Sequence, residues 1–159
     1  MYVNARAIIE RTNNDNDQVE VLMQVRNKPN EAKALEFPGG RLEEYESIEQ
    51  ALVREVFEET GLKVKYIIDN TNKQIHINNQ IELETLSPYF VYQTTKGPID
   101  SIGFIFRCEV EDYEAYSSDE AYGHRWIEVK ELEQMFQENV DQFDWLTQGI
   151  INHYLHIRN

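Results

Sequence analysis

Apolar and polar positions alternate along several short segments of the chain, which is the period of a β-strand with one buried face. The clearest segment is Ile102–Val110, where one set of alternating residues comprises Ile102, Phe104, Phe106, Cys108 and Val110. We expect this set to face the core. Similar patterns predict further strands at Tyr2–Glu10, Gln18–Arg26, Leu35–Phe37, Lys63–Ile68, Ile75–Thr85, Tyr89–Thr94 and Arg125–Val129.

Two of the boundaries are marked by polar runs. The run Thr12–Asp17 separates the first two strands and lacks the Gly and distant Glu of a calcium loop, so it predicts a hairpin turn. The Asn-rich interval Asn70–Asn79 blurs the limits of the strands beside it. A further turn is predicted at Lys96-Gly97-Pro98.

The stretch that follows Tyr45 has the signals of a helix. Ser47 and Gln50 have the spacing of a capping box, and residues 48–60 contain no Gly or Pro. Gly61 supplies a terminator that tolerates positive φ. The sequence therefore predicts a helix over residues 48–60.

Two more helices are predicted after the last strand, over Lys130–Asn139 and from about Gln142 to His156. The apolar residues of the second one indicate packing on the sheet or on a second subunit; they are Trp145, Ile150, Ile151, Tyr154 and Leu155. Strands, a helix, more strands and then helices predict an α/β fold with a mixed sheet covered by helices.

Three carboxylates lie on one face of the helix over residues 48–60. At about 100° per residue, Glu55, Glu58 and Glu59 fall within roughly one third of its circumference. A solvated face is the ordinary explanation for helical acids. Here the acids continue a stripe that begins apolar, and like charges at this spacing destabilise a helix unless they are neutralised. Mg²⁺ or Mn²⁺, which prefer oxygen ligands, would neutralise them.

Length and charge limit the classes of function. The 159 residues fit one domain, residues 1–159, with room for a sizeable core. The net charge of −14, with no basic stripe to offset it, disfavours binding of a nucleic-acid polymer. A small anionic substrate remains compatible if a metal supplies positive charge.

The single Cys108 excludes an intramolecular disulfide, and its place in an apolar strand predicts a buried, inert thiol. The chain has no basic-then-apolar leader and no run of ~20 apolar residues, so we expect a soluble cytoplasmic protein without membrane contact. The four histidines show no ligand spacing that favours a metal, and surface positions are expected for His76, His124, His153 and His156.

Nine residues of fixed spacing surround the acidic face: Gly40, Glu46, Arg54, Glu55, Val56, Glu58, Glu59, Gly61 and Leu62. This pattern resembles the signature of the Nudix hydrolases at every fixed position. The preceding Leu35-Glu36-Phe37-Pro38-Gly39 resembles the MutT-like branch, whose members are nucleoside triphosphate pyrophosphohydrolases. Tyr45 departs from the pattern, because the family usually has Gly there. Since a Cβ makes positive φ costly, we expect the loop Arg41–Tyr45 to differ in shape.

The resemblance implies a Nudix-type α/β/α sandwich and a bound Mg²⁺, with Mn²⁺ as an alternative. By resemblance, the metal ligands are Glu55, Glu58, Glu59 and the backbone carbonyl of Gly39. The close approach of backbone to an ion suits Gly.

The resemblance also implies roles for the remaining polar residues. Arg54 is expected to orient a signature carboxylate such as Glu46. The general base is either Glu58 or Glu120, a residue before the strand that contains Trp126. Asp119, adjacent in sequence to Glu120, stays open as a further candidate.

Candidate substrate contacts lie outside the signature. Arg26, or the nearby Lys28, is placed to meet a phosphate, as a basic residue does at a comparable place in MutT-like proteins. Tyr89, Phe90 and Tyr92 are candidates for stacking on a base, although aromatic residues in strands more often belong to the core.

The reaction that follows from the resemblance is Mg²⁺-dependent hydrolysis of a nucleoside diphosphate linked to another group. A nucleoside triphosphate, including an oxidised one such as 8-oxo-dGTP, is the leading substrate. An ADP-ribose or nucleotide-sugar hydrolase is the nearest alternative, although Asn72–Gln80 lacks the Pro that this branch places there. A non-catalytic nucleotide sensor is the third, and it conflicts with the complete set of signature acids. A small nucleotide is the expected partner, with a monomer or a homodimer as the assembly.

Overall fold

The computed structural model describes residues 1–68 and 72–158. In chain order its elements are β1 (Tyr2–Thr12), β2 (Val19–Arg26), β3 (Leu35–Glu36), β4 (Gly39–Arg41), α1 (Ile48–Thr60), β5 (Val64–Ile67), β6 (Gln74–Asn78), β7 (Ile81–Thr85), β8 (Phe90–Gln93), β9 (Ser101–Val110), β10 (Ala121–Glu128), α2 (Val129–Glu138) and α3 (Trp145–Arg158). A short 3₁₀ turn, Val140–Gln142, lies before α3. The predicted α/β class is confirmed.

Eight strands form one mixed sheet around β1. The path through it is β10-β2-β1-β9-β5, and β3, β4 and β8 pair with β2, β1 and β9 respectively. β1 and β9 are parallel, from Tyr2 opposite Ser101 to Ile9 opposite Cys108. The other pairs in this sheet are antiparallel. β6 and β7 form a separate two-stranded sheet.

Helices cover both faces of the large sheet. One core lies between the sheet and α1 and includes Ala5, Ala7, Ile9, Ala51, Leu52, Val56, Phe106 and Cys108. The other lies under α2 and α3 and includes Ile8, Val21, Met23, Ile105, Leu132, Ile150, Ile151 and Tyr154. The layers are therefore helix, sheet and helices, as the Nudix resemblance implies.

Most of the set expected to be buried on β9 faces the core under α1, and the opposite face of the strand is covered as well. Phe106, Cys108 and Val110 are buried against α1, but Ile105 is fully buried on the opposite face, and Ile102 and Phe104 are only half-buried. A strand inside a sheet covered on both sides has no solvent face, so its alternation does not report which side is inside.

The capping box predicted for α1 is present. The Ser47 hydroxyl accepts a hydrogen bond from the Gln50 backbone N–H at 3.1 Å, and the Gln50 carboxamide accepts one from the Ser47 N–H at 3.0 Å. Gly61 ends the helix with φ at 75° and donates its N–H to the Phe57 carbonyl. The bounds of α1 are the predicted ones.

Other predicted bounds shift. The hairpin turn between β1 and β2 is confirmed, with the Asn13 N–H donating to the Gln18 carbonyl. β10 begins four residues before the predicted Arg125, and α2 and α3 begin at Val129 and Trp145. The predicted segment Ile75–Thr85 is a hairpin of two strands that turns at Asn79. Part of the Asn-rich interval, Asn70 and Thr71, lies outside the described residues.

α3 packs on the sheet, which is one of the two arrangements expected from the sequence. The Tyr154 hydroxyl donates to the Glu10 carboxylate of β1, and Arg158 and Arg107 lie 3.5 and 3.7 Å from the same carboxylate. Burial and the Glu10 charge raise the pKa of Tyr154. Across residues 1–68 and 72–158, no helix has the length and apolar content that crossing a membrane requires.

Candidate metal and nucleotide site

A pocket of about 620 Å³ opens where β1, β4, the end of β2 and the start of α3 meet α1. Its wall has an acidic part, a basic part and an aromatic part. They comprise Glu55, Glu59 and Glu120; Arg6, Arg26, Lys28 and Arg41; and Tyr2, Tyr92, Phe143 and Trp145. Opposite charges therefore line one cavity.

Three carboxylates converge in the acidic part. Glu55, Glu59 and Glu120 each present an oxygen, and these oxygens lie within 4.8 Å of one another. α1 carries the first two, one turn apart. Glu120 immediately precedes β10, and its carbonyl accepts the Asn27 N–H from the end of β2 at 2.8 Å. Strand pairing thus brings Glu120 to a helix some sixty positions earlier in the chain.

Two carboxylates of this cluster are buried and have raised pKa values. Burial raises the pKa of Glu59 to about 7, and the nearby Glu36 adds to the shift. A hydrogen bond of 2.8 Å from the Gly39 N–H to the Glu59 carboxylate opposes the shift. Burial also raises the pKa of Glu55. Both groups would lose this penalty if a cation joined them, so the donor set fits a hard divalent ion.

Gly40 leaves room for the Glu55 carboxylate of the same cluster. A Cβ on Gly40 would lie 2.5 Å from the carboxylate carbon of Glu55, closer than any van der Waals contact permits. The glycine therefore lets the α1 acids reach the strand β4. This explains in structural terms why Gly stands at the first position of the signature pattern.

Arg54 organises the remaining signature acids. Its Nε and Nη2 donate to the two oxygens of Glu46 at 2.7 and 2.9 Å, and Nη1 donates to Glu55 at 2.9 Å and to Glu58 at 3.2 Å. Nη2 also donates to the Arg41 carbonyl. The Arg54 guanidinium holds the pKa of Glu46 at about 2. The expected pairing of Arg54 with Glu46 is present.

Glu58 borders the carboxylate cluster without joining it. Its side chain is 56% exposed and shares Nη1 of Arg54 with Glu55. In the sequence analysis Glu120 and Glu58 were alternatives for the general base, and the position of Glu120 relative to the acids of α1 was not predicted. The structure brings Glu120 next to Glu55 and Glu59 and leaves Asp119 outside the pocket wall.

Tyr45 adopts the conformation that its Cβ makes costly. Its φ is 58° and its side chain is 99% exposed, so the ring makes no compensating contact. The Glu46 N–H donates to the Glu43 carbonyl and closes a tight turn. Tyr45 thus takes the positive φ that a glycine would take, and Glu46 still reaches Arg54. The expectation that the side chain would divert the backbone from positive φ is wrong.

Arg26 lies at the basic part of the pocket and is held by two carboxylates. Its Nε donates to Glu31 at 2.5 Å and its Nη1 to Glu36 at 3.2 Å. Gln24 donates to the second oxygen of Glu36, which is almost fully buried. Sequence reasoning missed Glu36 as a site residue, although it belongs to the Leu35–Gly39 match.

Arg6 adds a second guanidinium behind the acids. Nη1 donates to the Phe37 carbonyl at 3.0 Å, and Nε is buried without a hydrogen-bond partner among the described residues. Its charge opposes the rise in the pKa of Glu59. Arg6 was not predicted as a site residue, because a lone basic residue in a strand has many explanations.

Of the aromatic candidates, Tyr92 reaches the pocket. Its hydroxyl accepts a hydrogen bond of 2.8 Å from Asn4, and its ring lies against Gly103, where a Cβ would collide with it. Beside it the Arg41 guanidinium lies 3.5 Å from the centre of the Tyr2 ring. Neither Tyr2 nor Arg41 was predicted.

The structure does not bring Tyr89 or Phe90 to the pocket. Tyr89 packs edge-on against Tyr154 with Arg107 over its ring, and Phe90 packs against His153. Both lie under α3, because β8 pairs with β9 in a register that directs them there. Tyr89 therefore lies outside the pocket wall, and its stacking on a substrate base stays a prediction.

His124 is not a surface residue. It is half-buried, and its Nε2 lies 3.1 Å from the Gln24 carboxamide oxygen. Burial lowers the pKa of its imidazole. The surface prediction holds for His76 and His153, which are exposed. A histidine on an edge strand offers no pattern that separates the two environments.

Comparison with known proteins agrees with this site. The model of the NUDIX domain family matches residues 1–148. A Bacillus subtilis (strain 168) protein named "Putative 8-oxo-dGTP diphosphatase YtkD" is 39% identical over 77 residues, covering 43% of this chain and 49% of that protein. The chain is thus matched to about half the length of this curated relative.

Solved structures share the fold at low identity. The NUDIX domain of Shewanella oneidensis NrtR, in complex with ADP ribose, matches all of this chain and 89% of its own at 16% identity, with a TM-score of 0.66. A NUDIX family hydrolase from Clostridium perfringens matches 99% of this chain and 98% of its own at 18% identity, with a TM-score of 0.64. With its signature acids assembled around one pocket and the family model matched over residues 1–148, the chain belongs to the Nudix family.

Proposed function

We propose that the protein is a divalent-metal-dependent pyrophosphohydrolase that converts a nucleoside triphosphate to the monophosphate and pyrophosphate, with 8-oxo-dGTP as the leading substrate. The observation that carries the proposal is the convergence of Glu55, Glu59 and Glu120 on a pocket that is also lined by Arg6, Arg26, Lys28 and Arg41. Carboxylates suit a metal and guanidinium groups suit phosphates, so both halves of a metal–polyphosphate complex find complementary charge.

The proposed metal donors are Glu55, Glu59 and the Gly39 carbonyl, and we add Glu120 because its carboxylate oxygen lies in the same cluster. Glu58, which borders the cluster, is proposed as a metal donor or as the general base. Mg²⁺ is the favoured ion and Mn²⁺ the alternative, because all donors are oxygens. When bound, such an ion neutralises phosphate oxygens and lowers the pKa of a coordinated water. The raised pKa of Glu59 supports its assignment, since an unneutralised buried carboxylate is costly.

Arg54 and Glu46 position the acids. A guanidinium that donates to both oxygens of Glu46 is fixed in plane, so the bonds from Nη1 to Glu55 and Glu58 are fixed as well. We assign both residues to this positioning role. Glu58, which borders the cluster, and Glu120, which belongs to it, remain the two candidates for the general base.

The phosphate-binding wall is formed by Arg26, Lys28 and Arg6. The Arg26 guanidinium donates from Nε to Glu31 and from Nη1 to Glu36, while its Nη2 makes no hydrogen bond within the described part of the chain. Two carboxylates thus hold the guanidinium in the pocket wall with one donor group available. This local charge supports binding of a small polyphosphate despite the net charge of −14.

The nucleoside is proposed to lie toward Tyr92, Asn4 and the stacked Tyr2–Arg41 pair. Aromatic faces and a guanidinium plane both accept a stacked base. The name of the Bacillus subtilis relative supports an oxidised purine triphosphate. We further propose a cytoplasmic location, which suits the buried, reduced thiol of Cys108.

A substrate screen tests this proposal. Purified protein is incubated with dGTP, 8-oxo-dGTP, ADP-ribose, dinucleoside polyphosphates and sugar nucleotides, with Mg²⁺ or with EDTA, and the products are separated. We expect pyrophosphate and monophosphate from triphosphates, Mg²⁺ dependence, and the highest kcat/KM for 8-oxo-dGTP. Glu59→Gln is the matched inactive control. Cleavage of ADP-ribose alone would replace the triphosphate assignment, and binding without cleavage of any substrate would identify a nucleotide sensor.

A further inference from the structure

The hairpin β6–β7 is an exposed appendage of the fold. All five residues of β6 are exposed, and four aliphatic side chains of the hairpin remain 53–71% accessible, namely Ile75, Ile77, Ile81 and Leu83. It pairs with no strand of the large sheet. A two-stranded hairpin is at best marginally stable in water by itself. We therefore expect the exposed apolar side chains of this hairpin to contact a partner.

The outer edge of β6 has unpaired backbone groups. Asn78 and Ile81 flank a two-residue turn, so they form a hydrogen-bonded pair, and pairs of this kind alternate along the hairpin to His76–Leu83 and Gln74–Thr85. The backbone groups of Ile75 and Ile77 then point away from β7. Neither residue has a hydrogen bond to another described residue outside the hairpin.

Charge distinguishes the two edges. β7 carries Glu82 and Glu84, so pairing through β7 would set carboxylates against each other in two copies of an acidic chain. β6 has the sequence Gln-Ile-His-Ile-Asn, which carries no acidic or permanently charged residue. In a chain with a net charge of −14, this edge is the one that a second copy can approach.

The β6 edge is also complementary to itself. When two copies pair antiparallel about His76, Ile75 of one lies opposite Ile77 of the other, and both have outward backbone groups that can exchange hydrogen bonds. The four isoleucine side chains then share one face. His76 lies opposite its own copy in the non-hydrogen-bonded position. One register therefore does both things: it pairs the outward backbone groups of the two copies, and it places their isoleucine side chains on one face.

We propose that β6 is a homodimerisation edge, at which two copies of the chain join their hairpins into a four-stranded antiparallel sheet. Five residues a side give a small contact, below the ~1,200 Å² of a standard stable interface, so the dimer dissociates on dilution. The pocket wall contains no residue of the hairpin, and the proposal is therefore independent of the proposed function.

Cross-linking tests the register. In a non-hydrogen-bonded antiparallel pair the Cα atoms are about 4.5 Å apart, within disulfide range. We expect His76→Cys to form a covalent dimer under mild oxidation. Leu83→Cys is the matched control, because Leu83 lies on the same face but about three strand spacings, ~14 Å, from its copy. Equal cross-linking by the two variants, or none by His76→Cys, would overturn the proposal.

Sedimentation equilibrium tests the edge itself. Ile77→Pro deletes an outward N–H while leaving the bonds to β7 in place, and proline blunts an edge strand. We expect its dimer dissociation constant to rise at least about tenfold, as the loss of one hydrogen bond and one apolar contact from each of the two copies implies. Glu82→Pro makes the same change on the outer edge of β7 and should dimerise like the unmodified chain. A monomeric unmodified chain at several hundred micromolar, or an Ile77→Pro variant with unchanged association, refutes the dimer.

Discussion

Arg54 donates two hydrogen bonds to Glu46, at 2.7 and 2.9 Å, from Nε and Nη2, so the guanidinium engages both carboxylate oxygens. Arg54→Lys keeps the charge and loses this fork. We expect kcat to fall by about ten- to a hundredfold, the usual effect of losing an outer-shell partner, while the thermal unfolding midpoint changes little. Steady-state kinetics with the substrate found in the screen measure this fall in kcat. Full activity in Arg54→Lys would reduce the pair to an ordinary surface contact.

The roles of Glu58 and Glu120 can be distinguished by how the activity of their variants depends on Mg²⁺. Glu120→Gln removes a member of the carboxylate cluster, so we expect a raised Mg²⁺ requirement that excess metal partly overcomes. Glu58→Gln removes a group outside the cluster, and we expect a loss of about a hundredfold or more in kcat that metal does not restore, as for a lost base. Mg²⁺ titrations of initial rate decide between them. The reverse pattern would exchange the two assignments.

Glu59 makes the metal-free protein sensitive to pH. Its pKa is about 7 when folded, above the ordinary 4.5, so the folded state binds more protons between these values. The free energy of unfolding therefore falls as the pH rises from 4.5 to 7, by at most about 3 kcal/mol. Urea denaturation in EDTA at pH 5 and pH 8 measures this fall. Glu59→Gln should show a smaller fall, whereas Glu44→Gln, at an exposed carboxylate, should follow the unmodified chain.

Tyr45 stores conformational strain that a glycine would release. Its φ of 58° is costly for a residue with a Cβ, and the exposed ring offers no compensation. We expect Tyr45→Gly to raise the free energy of unfolding by up to about 1 kcal/mol, after the added entropy of the unfolded chain is subtracted. Tyr45→Ala keeps the Cβ and should give no such gain. Chemical denaturation of the three proteins compares them, and equal stability of the Gly and Ala variants would contradict the assignment of strain.

Cys108 should resist modification in the native state. The thiol is fully buried, and burial raises its pKa to about 12, so thiolate is scarce at neutral pH. We expect Ellman's reagent to label it only in denaturant. Rapid labelling of the native protein would show that β9 opens to solvent.

Local chemistry explains why α1 and its acids were predictable. The capping box, the run without Gly or Pro, and Gly61 all act within one helix, so the bounds Ile48–Thr60 follow from the sequence. The spacing of Glu55 and Glu59 then places both carboxylates on one face. The Arg54–Glu46 contact was also within reach, since both residues belong to the same fixed pattern.

Features that depend on distant pairing were not predictable. Glu120 joins the cluster because β10 pairs with β2, and its carbonyl accepts a hydrogen bond from Asn27, which lies far away in the sequence. Tyr89 is directed under α3 by the β8–β9 register. The aromatic pattern alone favoured the core and left a place in the pocket open, so it did not decide the position of Tyr89. His124 was misplaced for the same reason, because its environment is set by Gln24 of another strand.

The bond between Tyr154 and Glu10 has a consequence for synthesis of the chain. These residues are 144 positions apart, so β1 leaves the ribosome long before the helix that covers it. Until α3 is made, Ile8 and Ile105 lack their cover and the pocket lacks the wall that contains Trp145. A nascent chain that has emerged through β9 but not yet through α3 therefore exposes the apolar face that α3 covers, and chaperone binding during synthesis would concentrate on that face.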